Sequence, residues 1–219
     1  MTRKINIKRS VLAADEEFAS KIRERLRKEG TLMVNLIGSP GAGKTTLLEA
    51  TLGEIPFSCA VVEGDVATSR DAERISKTGT PVVQINTQGG CHLEAHLLWK
   101  ALDEIPTSGL DVLFVENVGN LVCPAEFDLG EDYKVAVCSV PEGPDKPLKY
   151  PHLFHEAGAV LLTKVDLIPY IGFDGDLFWG DVKKLNPLAS CIEVASLTGK
   201  GIDAWTDVLG RWLMEKRRW

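Results

Sequence analysis

Gly38-Ser39-Pro40-Gly41-Ala42-Gly43-Lys44-Thr45 decides the fold of this 219-residue chain. The stretch satisfies G-x-x-x-x-G-K-[ST] at every fixed position, and its flanks matter as much as its letters. Leu32-Met33-Val34-Asn35-Leu36-Ile37 before it reads as a buried strand, and Thr46-Leu47-Leu48-Glu49-Ala50 after it reads as the start of a helix. In that setting the glycines let backbone N–H groups curl around a diphosphate, at a helix N-terminus that already favours negative charge. Lys44 is expected to reach the β and γ phosphates and the Thr45 hydroxyl to ligate Mg²⁺. Gly38, Ser39, Pro40, Gly41, Ala42, Gly43 and Thr46 are expected to line the cradle, so the chain is expected to bind a nucleoside triphosphate.

Working outward, strand-like apolar runs alternate with helical segments. The strands expected are 32–37, 58–64, 81–86, 111–116, 133–140, 159–164 and 190–195. Helices are expected near 44–53, 68–78, 91–104, 147–157, 175–185 and 202–217. Runs such as Val112-Leu113-Phe114-Val115 and Ala159-Val160-Leu161-Leu162 are almost continuously apolar, as parallel strands covered on both faces are. The pattern predicts an α/β fold with a doubly wound, mostly parallel sheet and helices on both faces. Residues 10–29 read as an amphipathic helix outside the central fold, with Ser10 as a possible cap, apolar Leu12, Phe18, Ile22 and Leu26, and a stop at Gly30. The expected organisation is a helical extension, 1–30, before one nucleotide-binding domain, 31–219.

Composition narrows the classes. Acidic residues outnumber basic ones, 31 to 25, giving a net charge of −6 and arguing against nonspecific nucleic-acid binding. There is no run of 18 apolar residues to span a membrane, and Met1-Thr2-Arg3-Lys4-Ile5-Asn6-Ile7 lacks an apolar signal core, so a cytoplasmic protein is expected. Five cysteines (59, 91, 123, 138 and 191) are then core residues or metal ligands rather than disulfides. Cys59, Cys138 and Cys191 fall within strands and read as buried. His152 and His155 read as packing residues of an apolar helix, and Trp205, Leu209 and Trp212 as core.

Ligands in such sheets sit at the carboxyl ends of strands. After the sixth strand comes Thr163-Lys164-Val165-Asp166, similar to the N-K-x-D base reader of GTPases with Thr for the first Asn. An Asp there accepts from N1–H and the 2-amino group of guanine, a donor pair adenine lacks, while the Lys164 stem would pack on the base. Without its Asn, the motif is expected to lose a brace on the loop. Ser196-Leu197-Thr198-Gly199 resembles the GTPase loop that contacts the guanine O6. These residues point to GTP and GDP rather than ATP. Facing the γ phosphate, Asp65 and Asp71 follow the second strand and Glu116 closes the fourth, with Glu116-x-x-Gly119 keeping the spacing of the GTPase Asp-x-x-Gly. Asp65 and Glu116 are expected at Mg²⁺, and Lys44, Asp65, Asp71 and Glu116 in hydrolysis; helix capping is the competing role for Asp65 and Asp71.

Gln88-Gly89-Gly90-Cys91-His92-Leu93-Glu94-Ala95-His96 reads as the start of a helix, where a thiol pKa falls and Cys91 becomes a soft ligand. Cys123 follows Gly119 on the loop that senses the γ phosphate. Cys91, His92 and Cys123 give three donors suited to Ni²⁺ or Zn²⁺, in an open site or one shared by two chains, unless they are ordinary packing residues. His96, four residues after His92, is a further candidate on the same helical face.

In this order, G-S-P-G-A-G-K-T-T, E-G-D-V, G-G-C-H-L-E-A-H, E-N-V-G-N-L-V-C-P-A-E-F-D-L-G, T-K-V-D-L and S-L-T-G-K-G resemble the HypB family of hydrogenase nickel-incorporation GTPases over roughly residues 10–215. The resemblance implies a dimerising P-loop GTPase in which Cys91, His92 and Cys123 receive Ni²⁺ or Zn²⁺ at the dimer interface. It also implies a homodimer working with a nickel-chaperone partner and a hydrogenase large-subunit precursor, and a Lys149 able to reach across the dimer. Residues 1–58 carry neither the cysteine motif nor the histidine-rich store of some members. Urease nickel GTPases, which carry Cys-Pro-His, and cobalamin-enzyme chaperones fit less well. A nucleotide-gated module without a metal role and a small-molecule kinase are the readings outside this class.

Overall fold

The computed structural model describes residues 7–65 and 68–218, with side chains from Asp15 onward. The N-terminal residues Met1 to Asn6, the side chains of Ser10 and Leu12, and Val66 of the E-G-D-V segment lie outside the described residues. Helix α1 (Ile7–Glu29) opens the chain. It already runs at Ile7, so Ser10 lies inside it rather than capping it. Ala19, Ile22 and Leu26 are fully buried along one side of it, at the three- and four-residue spacing of a helix face. Gly30, at φ +68°, ends the helix. Its N–H donates to Arg27 O at 3.3 Å and the Thr31 N–H to Leu26 O at 3.0 Å, the closing bonds of a left-handed helix stop.

The order thereafter is β1 (Leu32–Gly38), α2 (Lys44–Glu54), β2 (Cys59–Asp65), α3 (Arg70–Ser76), β3 (Val82–Asn86), α4 (Ala95–Ala101) and β4 (Val112–Glu116). Then come α5 (Cys123–Glu126), β5 (Tyr133–Ser139), α6 (Lys146–Lys149), α7 (Pro151–Glu156), β6 (Ala157–Thr163), α8 (Gly175–Leu185), β7 (Ser190–Val194) and α9 (Ile202–Lys216). The seven strands form one parallel sheet in the order β3-β2-β4-β1-β5-β6-β7. This is the doubly wound α/β sheet the sequence predicts.

Alternation within the strands divides the core. Leu32, Val34, Leu36, Val61, Phe114 and Val137 face one side, with Leu47 and Leu48 of α2 and Trp205, Leu209 and Trp212 of α9. Met33, Val62, Leu113 and Val115 face the other, with Ile22 and Leu26 of α1 and Leu98 of α4. Ile37, Ala136, Val160 and Leu162 continue that side beneath Phe154 and Phe178. Helix α1 is therefore a layer of the fold, not an element outside it.

Two expected helices differ. The one drawn over 91–104 starts only at Ala95, because Asp15 of α1 accepts from the Ala95 N–H at 3.1 Å and the His96 N–H at 3.0 Å and fixes the first turn there. The one drawn over 147–157 is two short helices broken at Tyr150, ahead of Pro151, and Ala157 already belongs to β6. His152 and His155 are exposed rather than packed, and Cys191 is exposed and Cys59 half-buried, leaving Cys138 as the buried strand cysteine of the three. No described helix is long and apolar enough to cross a membrane.

Candidate nucleotide and metal sites

The P-loop leaves the carboxyl end of the central strand β1 and enters α2 at Lys44, with Gly43 at φ +91° as its left-handed N-cap. The cleft above it, about 430 Å³, is lined by Pro40, Gly41, Gly43, Lys44, Thr45 and Thr46 and by strand-tip residues of β2 and β4. Lys44 is 7% exposed and donates to Gly38 O at 3.2 Å. Burial lowers its pKa, while the Glu116, Asp71, Glu142 and Glu63 carboxylates oppose that shift.

The Thr45 hydroxyl donates to Glu116 Oε1 at 2.8 Å. Glu116 is paired with Glu63 in the parallel β2–β4 register, and both are buried, at 4% and 2% exposure. Among the described residues, Glu63 Oε2 and Glu116 Oε2 are buried oxygens without a hydrogen-bond partner. Burial first, then the neighbouring carboxylates Glu116, Asp65 and Asp71, push the Glu63 pKa up to about 8. Burial lifts Glu116 to about 7 against the pull of Lys44 and the Thr45 hydroxyl. Unsatisfied carboxylate oxygens beside a threonine hydroxyl are a hard-oxygen donor set, and they fit a small divalent cation.

Glu63 is the residue sequence reasoning missed. The signal was the period of two: Val61, Glu63 and Asp65 share a face of β2, as Phe114 and Glu116 share one of β4. Asp65 and Asp71 both line the cleft. Asp65 Oδ2 accepts from the Thr68 N–H at 2.9 Å and the Thr68 hydroxyl at 2.8 Å. Asp71 pairs with Arg74 at 3.3 Å, and Arg74 also holds Glu49 and the Thr46 hydroxyl.

At the far side of the cleft, the Thr163 hydroxyl donates to Ala42 O of the P-loop at 2.6 Å. The expected loss of bracing is thus corrected, since the shorter hydroxyl still reaches the loop. Lys164, at φ +59°, lies against the loop and donates to Gly41 O at 2.6 Å. Asp166 is exposed in the turn after β6, and Ser196, Leu197 and Thr198 form the turn after β7, at the same end of the sheet.

The Cys91, His92 and Cys123 donor atoms all lie within 4.8 Å of one another. Cys91 Sγ is 3.5 Å from His92 Nδ1, and the His92 ring stacks on Phe127 at 3.8 Å. Because α4 starts at Ala95, Cys91 is not at a helix N-terminus, and its thiol pKa is raised, chiefly by the hydrogen bond with Cys123. Burial lowers the His92 pKa and favours the neutral imidazole a metal requires. His96 lies apart from this trio, with Glu94 at 3.1 Å and Asp15 at 3.6 Å. Lys149 pairs with Asp145 at 2.5 Å.

Residues 32–193 match the CobW/HypB/UreG nucleotide-binding domain family. Over 217 residues the chain is 46% identical to the hydrogenase maturation factor HypB of Escherichia coli (strain K12), covering 98% of this chain and 73% of that protein. The crystal structure of HypB from Helicobacter pylori in complex with nickel is similar at a TM-score of 0.88 and 39% identity, covering 94% of this chain and 96% of that one. HypB from Archaeoglobus fulgidus is similar at a TM-score of 0.86 and 41% identity, over 92% and 100% of the two chains.

Proposed function

Because the chain belongs to the HypB family of hydrogenase maturation factors, we propose that it is a GTP-hydrolysing metallochaperone that delivers nickel during maturation of [NiFe] hydrogenase. The observation carrying the proposal is the Cys91–His92–Cys123 trio, its donors within 4.8 Å, on the loops after β3 and β4, the second of which starts at the nucleotide cleft. Two sulfurs and an imidazole suit Ni²⁺ or Zn²⁺, and three protein donors leave coordination positions for a second chain or for the receiving protein.

On this reading Gly38 to Thr46 hold the phosphates of GTP and Lys44 neutralises their charge. Thr163, Lys164 and Asp166, with Ser196, Leu197 and Thr198, bind and select guanine, and Gly119 brings the loop of β4 to the γ phosphate. Thr45, Asp65 and Glu116 would hold a Mg²⁺ ion, which would supply charge neutralisation at the phosphates. Asp71 and Glu116 orient the attacking water. The loops at 65–71 and 116–123 close on GTP and draw two protomers together, with Lys149 reaching toward the partner's nucleotide. Hydrolysis releases the loops and the nickel, in the cytoplasm, to a chaperone partner or the hydrogenase large-subunit precursor.

The test is a nickel titration of metal-free protein held with GDP, beside a Cys91→Ala, Cys123→Ala double variant. Stoichiometric binding that disappears in the variant supports the proposal. Weak binding, unchanged in the variant, sinks it and leaves a GTP-gated binding module.

A further inference from the structure

One side chain joins the β4 loop to the backbone of the cysteine–histidine segment. Asn117 follows Glu116 directly and is 2% exposed. Its Oδ1 accepts from the Val118 N–H at 3.0 Å and from the Leu93 N–H, two residues beyond Cys91, at 3.2 Å. Its Nδ2 donates to Asn35 Oδ1 at 3.2 Å, and Asn35 Nδ2 donates in turn to Glu131 Oε1 at 3.2 Å. The direction of this chain is fixed at both ends. Backbone N–H groups demand an acceptor at one end, and a carboxylate demands a donor at the other, so a flip breaks three bonds at Asn117 and two at Asn35.

A second asparagine repeats the tie at the surface. Asn120 Nδ2 donates to Cys91 O at 3.3 Å, while its Oδ1 accepts from the Val122 N–H at 2.8 Å, directly before Cys123. The two asparagines thus bracket the metal ligands: one holds the peptide after His92, the other the carbonyl of Cys91. Both sit on the loop that begins at Glu116, which is bonded to the P-loop threonine.

We propose that Asn117 is the positioning residue through which the β4 loop sets the Cys91–His92 backbone relative to Cys123, with Asn120 as its second tie. The nucleotide state then reaches the metal ligands through two side-chain amides. The inference rests on the nickel reading above and adds the residues that carry the coupling. A buried amide present only to satisfy neighbours would alter stability alike in both nucleotide states; a positioning amide alters the difference between them.

Nickel dissociation constants are therefore measured by chelator competition for the full chain, Asn117→Ala and Asn120→Ala, each with Mg²⁺-GDP and with a non-hydrolysable GTP analogue. In the unaltered chain the two constants should differ by about five-fold or more, and in Asn117→Ala by less than about two-fold, with nickel still bound by Cys91, His92 and Cys123. Asn120→Ala should contract the difference less. A difference retained in both variants overturns the proposal and leaves the nickel reading intact. Equal constants in the unaltered chain overturn both. If Asn117→Ala does not fold, Asn120→Ala, at a half-buried position, decides: a contracted difference supports the coupling, and a retained one refutes it.

Discussion

Replacing Glu63 by Gln should stabilise the chain above neutral pH and do much less near pH 6. Glu63 is 2% exposed, its Oε2 has no hydrogen-bond partner among the described residues, and it faces Glu116 in register across two strands. Burial, reinforced by the Glu116, Asp65 and Asp71 charges, lifts its pKa from 4.5 to about 8. Because the folded pKa lies above the unfolded one, the folded chain holds the extra proton between those values. The stability contributed by this group is full below pH 4.5, declines as the pH rises through the window, and is gone above about pH 8. Gln keeps the shape and cannot ionise. Between about pH 6 and the folded pKa lie about two units, worth about 2.7 kcal/mol for an independent group, and somewhat less where Glu116 ionises in the same range. The measurement is urea denaturation of metal- and nucleotide-free protein and of Glu63→Gln at about pH 6 and about pH 8.5. The stability difference should shift in favour of Gln by about 1.5–3 kcal/mol at the higher pH. A shift under about 0.5 kcal/mol would refute the claim that Glu63 is held as an unsatisfied buried carboxyl.

Asp166→Asn should weaken GTP binding by about 1–3 kcal/mol and leave xanthosine triphosphate favoured over GTP, read by competition against a fluorescent nucleotide. Gly119→Ala puts a Cβ 2.8 Å from Pro40 Cγ, 2.9 Å from Pro40 N and 3.0 Å from Pro40 Cα. It should cost about 1–3 kcal/mol in urea denaturation and lower GDP affinity by displacing the P-loop. Trp205, 1% exposed between α9 and the sheet, should cost about 3–5 kcal/mol as Trp205→Ala in the same assay, with guanine preference unaltered in whatever fraction folds.

The strands were legible because their apolar runs need no partner to be recognised: all seven lie within a residue or two of where the sequence puts them, and the loop after β1 follows from its glycines and Lys44. What required the structure was set by residues distant in sequence. The start of α4 depends on Asp15, eighty positions before Ala95, and no local signal near Cys91 reveals that cap. The strand order was equally hidden. The loops after β3 and β4 converge because β2 lies between those strands, and one must cross its tip to meet the other. Thr163 shows a substitution misread from its type: the hydroxyl at that backbone position itself reaches Ala42 O of the P-loop.

That crossing has a steric requirement. The Cys91–His92 segment passes over β2 at Gly64, where a Cβ would stand 2.6 Å from Leu93 Cγ; on the other side the β4 loop passes over the P-loop at Gly119, against Pro40. At Gly119 the glycine lets the β4 loop rest directly on the P-loop backbone at Pro40, and at Gly64 it makes room for the Leu93 side chain on the tip of β2. Close-packed contacts of that kind pass on displacements of a few tenths of an ångström rather than damping them. A γ phosphate drawing the Gly119 backbone toward Pro40 would then pull on Asn117 and Asn120 together, and through them on the two ends of the Cys91–His92 turn. A cysteine–histidine metal site of the proposed kind would need no nucleotide contact of its own to respond, because Asn117 and Asn120 tie its backbone to the loop proposed to make one.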